Sequence, residues 1–100
     1  MAYDPGALHA SLAAAVGNGQ SLMAELHAAF LESARRQLDL MGRARCDANW
    51  HFAAERLKSL AASFGVLGLQ GLAQEALDGA PGDPVVLRSI ARAIDDFAGL

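Results

Sequence analysis

Between Trp50 and Gly65 the chain carries a single apolar seam, Trp50, Ala54, Leu57, Ala61 and Phe64, at +4, +3, +4, +3 spacing. At about 3.6 residues per turn, that spacing puts all five side chains on one stripe of an α-helix. A helix that is apolar along one stripe has to cover it with other elements. The rest of the chain offers helices for the purpose. Alanine and leucine make up most of the 53% hydrophobic content, and aromatics are 6%. Strands favour β-branched and aromatic residues, whereas alanine and leucine favour helices. At 100 residues the chain has the length of one small domain. The expectation is one all-α domain over residues 1–100: an up-down four-helix bundle with a short additional N-terminal helix.

Local signals place the helices. Asp4-Pro5 and Asp83-Pro84 each set an N-cap side chain before a proline, whose fixed φ suits a first helical position. From Pro5, Leu8, Leu12 and Val16 form a short stripe that Gly17-Asn18-Gly19 ends. A second helix starts near Ser21, with Leu22, Leu26, Phe30, Ala34, Leu38 and Met41 on one side; Gly42 weakens its last turn. The third, over Ala48–Phe64, has Asp47 or Asn49 as its cap and Gly65 as its end. The fourth covers Val66–Leu77, with Leu69, Leu72, Ala73 and Ala76 inward. Ala80-Pro81-Gly82 leads into the fifth, which turns Leu87, Ile90, Ile94 and Phe97 inward.

Charge and composition exclude several roles. A net charge of −3, with Lys58 the only lysine, provides no broad electrostatic footprint for nucleic acid. Cys46, alone, makes no internal disulfide, and no Cys/His group has metal-ligand spacing, so no metal or cofactor is expected. No apolar run approaches the roughly 20 residues that cross a bilayer, and no signal peptide precedes the first helix; the expected location is cytoplasmic. His9 and His27 have no i,i+4 partner and read as surface or boundary residues. Gly65, Gly68 and Gly71 lack phosphate-loop spacing and read as a helix end and close helix packing. Ser63 sits in no nucleophile elbow. Arg35, Arg36, Arg43 and Arg45 fall late in the second helix, where cations suit the dipole and where an acidic partner face would be met.

Opposite the seam, His51, Glu55, Lys58, Ser59 and Ala62 share the outer face of the third helix. Ser59 and Ala62 are small and leave the backbone open to close approach. The plainest reading is a solvated face with an i,i+3 Glu55–Lys58 pair.

The stretch Trp50–Gly65 also resembles the signature of histidine-containing phosphotransfer (Hpt) domains. That signature runs from an acceptor histidine through Leu-Lys-Gly and small residues to a Leu/Phe-Gly end. Leu57 and Lys58 fall on its Leu-Lys pair, Ala61 on a small position, and Phe64 and Gly65 on its end. Upstream, LMAELHAAFLESARRQLDL is similar to the helix that precedes the signature. The resemblance implies a four-helix bundle in bacterial-type two-component signalling, with a response-regulator receiver domain or a histidine kinase as partner.

At the acceptor position this chain has Glu55, and Ser59 stands where the family commonly has glycine. A carboxylate is a poor nucleophile for this transfer, and its acyl phosphate would need a metal or cationic cradle. The implied role is docking by a non-enzymatic pseudo-Hpt domain, centred on His51, Glu55, Lys58, Ser59 and Ala62, with Arg56 at the edge. Two alternatives stand beside it: phosphotransfer through His51, one turn earlier on the same face, and a bundle that serves only structure or oligomerisation.

Overall fold

Four stretches of helical periodicity become four helices in the computed structural model, which describes residues 20–100. They are α1 (Gln20–Arg43), α2 (Asp47–Phe64), α3 (Leu67–Asp78) and α4 (Pro84–Ala98). The stripe of Leu8, Leu12 and Val16 and its helix lie outside the described residues. Each helix packs on its neighbours in sequence, and α4 closes the ring on α1. Phe30 of α1 meets Phe64 at the end of α2 and Phe97 near the end of α4, both at 4.9 Å between ring centroids. The early part of α1 therefore lies against the late parts of both, as an up-down bundle requires. Described residues 20–100 contain no strand.

The chain reverses where local chemistry says it should. Gly65 adopts φ 71°, the left-handed conformation that costs an L-residue about 1–2 kcal/mol. Val66 N–H then bonds Ala61 C=O at 2.9 Å and Gly65 N–H bonds Ala62 C=O at 3.2 Å, the paired closure of a Schellman motif. Before α4, Asp83 N–H reaches Ala80 C=O at 3.3 Å, with Pro81 and Gly82 (φ 84°) as the central residues of the turn. That is the residue order of a type II turn. Asp83 Oδ1 accepts from Val85 N–H at 2.9 Å, and Pro84 begins the helix. At the start of α2, by contrast, Cys46 occupies the N-cap with no side-chain bond, and Asp47 acts from the first turn. Arg45 falls in the connection after α1 rather than in its last turn.

The core is apolar throughout: Phe30, Ala34, Met41, Trp50, Leu57, Leu69, Ile90 and Ile94 are its centre. Its buried alanines, Ala53, Ala54, Ala61, Ala73 and Ala76 among them, let the backbones draw close. Two expected inward positions are exposed, and Leu38, Leu72, Leu87 and Phe97 are half-buried against the core. Phe64 is 43% exposed at the last residue of α2, with its ring 4.9 Å from that of Phe30. Leu26, at 39%, lies on the first turns of α1, and Leu22 is half-buried there. Gly68 and Gly71 face open space, so neither is needed for close packing.

Two side chains tie helices together through backbone carbonyls. Trp50 Nε1–H donates to Ala76 C=O at 3.1 Å in the buried α2–α3 contact. His27 Nε2–H donates to Phe97 C=O at 2.9 Å across α1–α4, with its ring 4.8 Å from that of Phe97. His27 thus takes a boundary position.

Trp50→Phe should destabilise the protein by about 1–3 kcal/mol, because it strands a buried acceptor. Phe64→Ala should cost about 2 kcal/mol, below the range of roughly 3–5 for fully buried rings. Urea unfolding followed by circular dichroism orders the two.

Candidate functional site: the outer face of α2

The seam turns inward as expected at Trp50, Ala54, Leu57 and Ala61, and Ala53 joins it on the side toward α1. Leu60 packs partly against the core, and the opposite side of α2 is turned outward. His51, Glu55, Ser59 and Ala62 are exposed, and Lys58 is half-buried at the edge of that face. At about 100° per residue, Glu55 and Ser59 hold the middle, with His51 and Lys58 on the side away from α1. Arg56 and Phe52 lie on the side toward α1. The structure thus brings all six candidate residues onto one helix surface.

The chemistry of the face is that of an open, uncompensated surface. No ion pair joins Glu55 to Lys58; the described ion pairs are Arg35–Asp95, Arg36–Glu32 and Arg43–Asp39, at 3.7, 3.3 and 3.0 Å. The expected i,i+3 pair does not form, because Lys58 inclines to the half-buried edge while Glu55 stands in solvent. Both groups remain free to meet a partner's charges. Ser63 Oγ–H bonds back to Ser59 C=O at 2.9 Å, so that hydroxyl is spent within the helix. Arg56 extends over the Phe52 ring, 4.5 Å from its centroid. Arg35, Arg36 and Arg43, grouped with Arg45 as a place for an acidic partner, each hold a carboxylate of this chain.

Phe52 is the residue of this surface that periodicity alone overlooks. It is 61% exposed, and only its i,i+4 relation to Arg56 marks it in the sequence. Among the described residues no three His, Cys, Asp or Glu side chains converge on a point that would hold a metal ion, and no helix is long and apolar enough to cross a membrane. Comparison with protein-family models, with curated proteins and with solved structures finds no match.

Glu55→Ala should shift stability by less than about 0.5 kcal/mol, as exposed substitutions do. With no Glu55–Lys58 contact to lose, Glu55→Ala and Lys58→Ala should add. A double-mutant cycle by chemical denaturation should give a coupling under about 0.3 kcal/mol.

Proposed function

We propose that this chain is an Hpt-like docking domain of a two-component relay, one that binds a receiver or kinase domain without accepting phosphate. The observation that carries the reading is Glu55: exposed, in no ion pair among the described residues, and central on the face of α2 that bears Lys58 and Ser59. The resemblance of Trp50–Gly65 to the Hpt signature puts the acceptor imidazole at that position. A carboxylate there offers a fixed negative charge, about one unit against nearly two for a phosphoryl group. Small Ser59 and Ala62 leave room beside it for a partner's backbone. The four-helix ring supports the reading by holding this face rigid and outward.

Glu55 in place of histidine removes the transfer step. In the ordinary reaction an imidazole nitrogen attacks the phosphorus of a partner's aspartyl phosphate. A P–N bond forms, the acyl P–O bond breaks and the aspartate leaves as a carboxylate. A glutamate at that turn would make another acyl phosphate, and among the described residues no cation is paired with Glu55 to hold it. The proposed domain therefore docks, and its output is the partner's occupancy.

The test has two readouts. Incubated with a phosphorylated cognate receiver, the wild-type protein should take up no acid-labile label, while calorimetry detects receiver binding. Lys58→Glu should weaken that binding about tenfold, since it replaces an attractive charge by a repulsive one. Glu55→His with Ser59→Gly should restore labelling. Wild-type labelling that disappears in His51→Ala would replace this reading with transfer through His51. A double variant that neither binds a receiver nor labels would leave a purely structural bundle.

A further inference from the structure

Beside the outer face of α2, on the side toward α1, lies an open groove of about 440 Å³. Gln37, Leu40 and Arg43 form one wall and Asn49, Phe52 and Arg56 the other. Two properties define what fits it. Its walls carry apolar surface, with Leu40 44% and Phe52 61% exposed. Every charged side chain lining it is an arginine, although the chain as a whole carries −3. Asp39 holds one N–H of Arg43 at 3.0 Å, leaving other guanidinium donors, and Arg56 makes no ion pair among the described residues.

We infer that this groove takes an acidic amphipathic helix from a partner protein. The walls run from Gln37 to Arg43 and from Asn49 to Arg56, each about 10 Å at 1.5 Å per residue, or two helical turns. Two apolar side chains at i and i+4 of a docked helix span that length, the usual anchor spacing of helix-in-groove recognition. They would rest between Leu40 and Phe52. Carboxylates flanking them meet Arg43 and Arg56. Arg56 already lies over Phe52, so its charge is presented at the rim with little further ordering. A basic helix would meet two arginines and no lining carboxylate.

This inference does not rest on the phosphorelay reading, since it uses neither Glu55 nor Lys58. The probe is a blocked synthetic amphipathic peptide with leucines at i and i+4 flanked by glutamates, titrated into the isotope-labelled protein and followed by amide chemical shifts. Two control peptides carry lysine for glutamate and serine for leucine. Shifts should map to Leu40, Arg43, Phe52 and Arg56, and binding should weaken as salt rises. Arg56→Glu, Arg43→Glu and Phe52→Ser should each weaken it about tenfold, with unchanged circular dichroism, while Lys58→Glu leaves it unaltered. Equal binding of the lysine peptide, shifts that map elsewhere, or no shifts at all would overturn the inference. So would a dimer of the chain whose formation is abolished by Phe52→Ser, which would assign the groove to a second copy.

Discussion

Carbonyl groups in the last turn of an α-helix have no partner within the helix, and in this bundle two of them are claimed by side chains from across the core. Ala76 lies in the last turn of α3 and accepts from the Trp50 indole; Phe97 lies in the last turn of α4 and accepts from His27. Among the described residues these are the two side-chain bonds to backbone that join separate helices. One fixes α2 against α3 and the other fixes α1 against α4. Apolar burial supplies the driving force but is non-directional. The two bonds add position, since each donor reaches its carbonyl only when the helices are set at one height and rotation. Trp50 does so from the first position of the seam, so the bond that sets the height of α2 also sets which way its outer face looks.

Much of this architecture was legible because the signals are local. Gly65, Pro81-Gly82 and Asp83-Pro84 act within a few residues, and each ends or begins a helix at the expected place. The +4, +3 seam likewise found Trp50, Ala54, Leu57 and Ala61. The misses are tertiary. A helix in a ring touches two neighbours, so its buried stripe is wider than one seam. Ala53, Leu31 and Val86 lie on those flanks, and a single periodic line passes them by. Phe64 fits the seam by spacing, yet its exposure depends on where α2 stops relative to α1. Leu26 is exposed for the same reason at the start of α1.

The outer face was readable as a set and unreadable as a set of interactions. Six residues at helical spacing on one surface follow from 100° per residue. Whether Glu55 and Lys58 pair does not, because both i,i+3 geometry and solvent are open to them, and an exposed pair gains little over hydration. Phe52 and Gln37 were illegible for another reason. A groove between two helices is a property of both, and neither helix carries its signal alone.

The division of α2 into an inward stripe and an outward face has a chemical consequence for the proposed role. The positions that hold the bundle, Trp50, Ala54, Leu57 and Ala61, alternate along the helix with exposed positions, among them His51, Glu55 and Ser59. A change from imidazole to carboxylate at position 55 therefore alters reactivity without altering packing. Transfer chemistry can be lost from such a helix by one exposed substitution while the surface that a partner grips stays in place. In the proposed role, Ser59 would restrict the return. Its side chain stands one turn from Glu55 on the same face, where glycine would leave bare backbone, so an acceptor at position 55 regains full access for an incoming phosphoryl group only when that side chain is also removed.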